Sequence, residues 1–167
     1  MPDTFNVRDW LNNHFPNAEF NRNEVNPVTD FSLMWNHFEN ILGERNINIT
    51  RLEAIATDTT QISGDSTFYQ NYFDYFKNRY IKEDNTTNEL FENLSFRPGD
   101  KKDFVATVLK GDDNNAANTI EAILIIIYRI RNNFFHGEKQ LHNIYTQYDN
   151  FNIANKFLAE ILTINNT

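Results

Sequence analysis

Toward the C-terminal end of the chain, an arginine and a histidine share the run Tyr128-Arg129-Ile130-Arg131-Asn132-Asn133-Phe134-Phe135-His136-Gly137-Glu138-Lys139. The fork of donors on Arg131 suits a phosphate. His136, with an ordinary pKa of about 6.5, suits proton transfer at neutral pH. Together they form the minimal kit for cleaving RNA without a metal. The base removes the 2′-hydroxyl proton, and the cation stabilises the charge that builds on the phosphorus oxygens. The same stretch concentrates positive charge: residues 122–142 carry Arg129, Arg131 and Lys139 against Glu138 alone, a net of +2 in a chain of net charge −8.

Helical geometry complicates this pairing. Five positions of regular helix turn through roughly 500°, so Arg131 and His136 would point about 140° apart on an unbroken helix. Either the helix distorts before His136, as Gly137 would allow, or two copies of the segment meet across a two-fold axis and pool both residues in one cleft. The plain structural alternative is a helix end, with Gly137 as its cap and Arg131 and His136 complementing the negative end of the dipole.

Other chemistry finds less support. The chain has no cysteine, which excludes disulfides, zinc-thiolate sites, iron–sulfur clusters and thiol nucleophiles, and points to a cytosolic compartment. His14, His37, His136 and His142 form no His-x-x-x-His or Glu-x-x-His pair, and the five glycines are scattered at breaks, so neither a metal site nor a phosphate loop is expected and no cofactor is implied. His14, His37 and His142 read as solvated or core-edge residues. Glu39 could orient Arg131 from a neighbouring helix or simply face solvent. Asp112 and Asp113 read as partners for a helix N-terminus.

The elements that must position Arg131 and His136 read as helices throughout. The 167 residues fit one domain with a sizeable core. Residues 1–28, with Pro2, Pro16 and Pro27, read as an N-terminal arm or short helices, and residues 29–167 as the main domain. A cap at Thr29 or Asp30, followed by Phe31, Met34, Trp35, Phe38, Ile41 and Leu42 and then Gly43, predicts one helix. Further helices are expected over 50–62, from Ser66 to Tyr80, over 87–94 and 100–109, from Asn114 to about Asn133, and over 150–162. The aromatic stripe Phe68, Tyr69, Tyr72, Phe73, Phe76 and Tyr80 reads as core rather than a base-stacking platform. No period-two strand stands out, so the expected fold is an all-α bundle of about five or six helices. The first residues lack a basic stretch followed by an apolar run, and nothing approaches the roughly 18 apolar residues of a membrane span, so neither a signal peptide nor a membrane partner is expected. A net charge of −8 is poor for gripping long nucleic acid by charge alone, and would also suit docking to a basic partner protein.

The pattern Arg131-Asn132-x-x-x-His136-Gly137, at the end of a long apolar helix, resembles the signature of the HEPN superfamily (higher eukaryote and prokaryote nucleotide-binding domain): an Arg, four to six residues, and a His, with a polar residue after the Arg. The FSLMWNHFENIL segment is similar to an early helix in several small HEPN families. The resemblance spans residues 29–162 in architecture and about seven residues in motif. It implies a helical bundle that dimerises through the motif helices and, in many members, a metal-independent endoribonuclease of toxin–antitoxin or phage-defence systems. Carried over by position, it makes Arg131 and His136 the catalytic pair and Asn132 their polar helper. The expected partners are then an RNA substrate, a second copy of the chain, and an antitoxin or other regulatory protein. The expected product is a 2′,3′-cyclic phosphate. The family also has inactive members, so the alternative expectation is a non-catalytic nucleotide-binding or protein-interaction module.

Overall fold

The computed structural model describes residues 6–14, 22–44, 46–135 and 147–166. Among them the chain forms eight helices: α1 (Val7–His14), α2 (Arg22–Ile41), α3 (Ile49–Ser63), α4 (Gln70–Tyr80), α5 (Glu89–Glu92), α6 (Lys102–Lys110), α7 (Ala116–Phe135) and α8 (Tyr148–Asn165). The described residues contain no strand beyond one isolated antiparallel bridge between Ile81 and Thr87. The fold is all-α. The count exceeds the expected five or six because the short segments, the single-turn α5 over the expected 87–94 and the N-terminal α1, stand as helices of their own. No helix among the described residues is long and apolar enough to cross a membrane.

α7 is the axis of the structure. Ile120 and every residue from Ala122 to Ile127 are buried, so this helix is apolar on all sides and must be surrounded. α3, α4 and α6 pack against it, while α8 lies against α2 and α3. Its start is fastened locally. Asn115 Oδ1 accepts from the Asn118 amide at 3.1 Å, and Asp113 Oδ1 accepts from the Asn115 amide at 2.9 Å, the N-terminal role expected of Asp113. At the other end Phe134 packs edge-on against Phe151 of α8, whose ring also meets Phe31 of α2. Ile127 and Ile130 are interior and belong to this core.

Two helix starts differ from the sequence expectation. α2 begins at Arg22, well ahead of Thr29, and runs through Pro27. Pro27 lies within the first two turns, where a missing N–H forfeits a single ladder bond, and its carbonyl accepts from Asn155 Nδ2 of α8 at 2.9 Å. α4 begins at Gln70 because residues 66–69 form tight turns, with the Ser66 amide on Ser63 O and the Gln70 amide on Thr67 O. Elsewhere caps set the bounds: Asn48 Oδ1 accepts from the Arg51 amide at the start of α3, and Gly64, at a φ of 58°, ends it. After α2 the chain turns at Gly43, where a Cβ would stand 2.5 Å from Ile47 Cδ1 and 2.7 Å from the Glu39 carbonyl. That close approach permits only glycine without a shift of the turn.

The aromatic stripe of α4 is core. Phe73, Phe76 and Tyr80 are buried, and Phe68 and Tyr72 lie against Phe157 of α8. Burial also traps one carboxylate on α7. Glu121 is buried, and Lys101 Nζ reaches both its Oε1 and the exposed Glu53 Oε2 at 2.7 Å, bracing α3, α6 and α7. Burial pushes the Glu121 carboxyl up by more than Lys101 pulls it down. Partial burial works to lower Lys101, but its bonds to the two carboxylates outweigh that and leave its ammonium above the ordinary 10.5. The Tyr80 phenol, fully buried, is pushed well above its ordinary 10.0.

Groups whose pKa is raised by folding contribute stability below the unfolded value and lose it as pH rises through the folded one. The melting temperature, followed by circular dichroism, should therefore hold between pH 7 and 9. It should fall from about pH 10, as the unfolded chain ionises its tyrosines and Lys101 loses its charge beside Glu121.

Candidate functional site

The two arginines near the end of α7 have opposite fates. They are two positions apart, so helical geometry turns their side chains about 200° away from each other. Arg129 faces inward and is 1% exposed. Its Nε donates to the Leu94 carbonyl at 3.1 Å, its Nη2 to the Ser95 carbonyl and to Asn133 Oδ1, and its Nη1 pairs with Asp100 Oδ2 at 3.0 Å. Asn133, one turn further along the same face, donates through Nδ2 to the carbonyls of Asn93 and Leu94 at 3.2 and 2.9 Å. Asp100 also accepts from the Arg97 amide at 2.8 Å, which closes the turn through Pro98 and Gly99.

These contacts tie residues 93–95, the stretch of chain just past the single turn of α5, to α7. A helix of one turn has no stability of its own, so its place depends on α7. Arg129 is thus structural, and the positive charge it lends the run in the sequence is neutralised by Asp100 and withdrawn from water.

Arg131 takes the other face and is half-buried. Its guanidinium carbon lies 5.8 Å from the centre of the Trp35 ring of α2, and Nη1 donates to Asn132 Oδ1 at 3.1 Å. Asn132 is itself buried. The ring and the amide hold the guanidinium from two directions. Trp35 also packs against Tyr128, with ring centres 6.2 Å apart, so Tyr128 and Arg131, one turn apart on α7, share one aromatic support. The indole N–H of Trp35 is buried with no hydrogen-bond partner among the described residues. His136, Gly137, Lys139 and His142 lie outside the described residues. α7 is helical through Phe135, so no break occurs between Arg131 and the residue before His136.

Beside Tyr128 an open cleft of about 830 Å³ lies between the turn after α2, the first turn of α3 and the loop from Pro98 to Asp100. Among the described residues that line it, the one arginine is Arg51, which donates from Nε to the Leu42 carbonyl at 2.6 Å and pairs from Nη1 with Glu44 at 3.2 Å. Glu39 accepts from the Ile47 amide at 3.4 Å, which steadies the same turn. His37 is exposed on α2, and His14 is exposed, stacks on Trp10 and donates to its carbonyl. No group of three or more potential metal-ligating side chains occurs among the described residues.

The sequence reading picked out Arg131 and Asn132, which the structure brings together, and missed Trp35, Tyr128, Asn133 and Asp100. One signal was available for Asn133: it stands four positions after Arg129, with Ile126, Ile127 and Ile130 around them, which marks a polar pair on a buried helical face. Compared with protein families, with curated proteins and with solved structures, the chain finds no match in any of the three.

The contrast between the arginines is measurable. Arg129→Ala removes the buried counter-ion of Asp100 and the donors to Leu94, Ser95 and Asn133, and should cost about 3–5 kcal/mol in urea denaturation. Arg131→Ala removes a half-buried side chain and its contacts with Trp35 and Asn132 and should cost less, about 1 kcal/mol. Equal losses would contradict the division.

Proposed function

We propose that this protein is a metal-independent endoribonuclease of the HEPN type, acting in the cytoplasm as a homodimer in a toxin or phage-defence setting. The observation that carries the reading is the treatment of Arg131. One arginine of the run is buried in the fold, whereas the other is half-buried and held by Trp35 and Asn132 at the end of the helix that leads into His136. A phosphate binder needs such a pre-oriented fork, because little ordering is then left to be done when the anion arrives.

In this reading His136 removes the proton from a ribose 2′-hydroxyl. The 2′-oxygen attacks the adjacent phosphorus, and Arg131 stabilises the charge on the non-bridging oxygens. The 5′-oxygen leaves and takes a proton from solvent water, while protonated His136 returns its proton to solvent, so the products end in a 2′,3′-cyclic phosphate and a 5′-hydroxyl. Asn132 acts as a positioning residue that holds Arg131. The regular course of α7 to Phe135 favours the two-copy arrangement over a distortion between Arg131 and that residue. Because Ile127 and Ile130 are committed to the core, the copies would meet through the polar end of α7 around Arg131. An antitoxin or other regulatory protein would act by covering this end.

A non-catalytic nucleotide-binding or protein-interaction module is the second reading. It is favoured by the extent to which Arg131 is already engaged by Asn132 and Trp35.

One experiment separates the two. Purified protein is incubated with total cellular RNA in excess chelator, alongside His136→Ala, and product ends are tested for cyclic phosphate. The ribonuclease reading expects cleavage that survives chelation and slows by about 10²–10⁴ in the variant, the range for loss of a general base. Intact RNA with both proteins favours the binding module, and equal cleavage by both removes His136 from the chemistry.

A further inference from the structure

We propose that the open cleft beside Tyr128 is a subsite for one nucleotide of a single-stranded RNA, with the phosphate held at the start of α3 by Arg51 and the base laid against the Tyr128 ring. That the strand is RNA rests on the ribonuclease reading above; that the cleft takes a nucleotide rests on its own chemistry.

The cleft's volume of about 830 Å³ lies within the range of small-molecule sites, and its walls are mainly polar. Asn46, Asn48 and Thr50 present amides and a hydroxyl, which suit the edges of a base and a sugar better than a lipid or another apolar ligand. Tyr128 supplies an aromatic face that is half-buried and backed by Trp35, the arrangement that lets a base stack without regard to its identity. Arg51 supplies a cation, its position fixed by the bond from Nε to the Leu42 carbonyl.

Arg51 already carries an anion. Glu44 pairs with its Nη1 at 3.2 Å, yet the Glu44 side chain is 77% exposed and its backbone sits in the left-handed region at a φ of 51°. An exposed ion pair of this kind is weak. A phosphate arriving at Arg51 can therefore replace the carboxylate, which swings into water. The other carboxylate at the cleft, Asp100, is neutralised by Arg129 and does not repel an anion strongly.

Position links the cleft to Arg131. Tyr128 and Arg131 both rest on Trp35 and are separated along α7 by three residues, about 4.5 Å of helix rise. In the proposed arrangement, a strand whose base lies on Tyr128 has its next link on the side of the helix end that carries Arg131.

The test is isothermal titration of the full chain with a short single-stranded oligoribonucleotide made uncleavable by 2′-O-methylation, and with AMP alone. Folding of each variant is checked by its melting curve. Ala54→Trp fills the cleft and should weaken oligonucleotide binding at least tenfold. Glu44→Gln removes the competing carboxylate from an exposed position and should tighten binding severalfold, whereas Glu83→Gln, an equal change of charge on the turn between Ile81 and Thr87, should leave it unchanged.

Binding that ignores Ala54→Trp and Glu44→Gln but is lost in Arg131→Ala overturns the cleft and leaves the ribonuclease reading standing. Binding that responds to both cleft variants, in a protein that cleaves no RNA, supports the cleft while that reading fails. AMP binding as tight as the oligonucleotide overturns the assignment to a strand, and no binding of either probe at millimolar concentration overturns the proposal.

Discussion

A guanidinium removed almost entirely from water holds this structure together. A buried charge is tolerated only when its donors are met and its charge is balanced, and Arg129 meets that condition by joining segments far apart in sequence. The Leu94 and Ser95 carbonyls, the carboxylate of Asp100 and the amide oxygen of Asn133 all converge on it. Because these bonds are directional, they fix the rotation of α7 about its own axis and not merely its position. The apolar middle of the helix cannot do this, since Ala122 to Ile127 are buried on every side and set no preferred face.

Rotation of α7 decides what its other residues can do. With Arg129 and Asn133 turned inward, Arg131 is necessarily turned toward α2, where Trp35 receives it. The same setting places Tyr128 against Trp35 and at the wall of the cleft. A polar network that looks structural is thus the reason a second arginine, two residues away, is oriented toward Trp35. Lys101 and Glu121 repeat the device one-third of the way along the helix, where a buried carboxylate is matched by a cation from the loop before α6.

Most of the helical architecture was legible from periodicity and punctuation. α3, α7 and α8 follow their apolar spacing and capping residues to within a few positions. The starts of α2 and α4 were not. Pro27 reads as a break although it falls early enough in a helix to be tolerated, and Ser66 reads as a cap although the next residues form tight turns. At the site, Arg131 and Asn132 stood out by type and spacing, but charge counting treated Arg129 as equivalent to Arg131. The difference between them is tertiary: Asp100 and the carbonyls of residues 93–95 are not detectable as partners in any local pattern. The cleft is equally non-local, since its walls come from residues 43–54, 98–100 and 128.

The most direct single measurement is the rate at which Arg131→Lys cleaves single-stranded RNA in chelator, beside the wild type and at matched melting temperature. Lysine keeps the charge but lacks the planar fork that Trp35 and Asn132 are arranged to hold. If Arg131 stabilises the transition state, the wild type cleaves and the variant is slower by about 10² or more. A variant that cleaves as fast as the wild type, or a wild type that leaves the RNA intact, would contradict a catalytic role for the arginine that the fold so carefully orients.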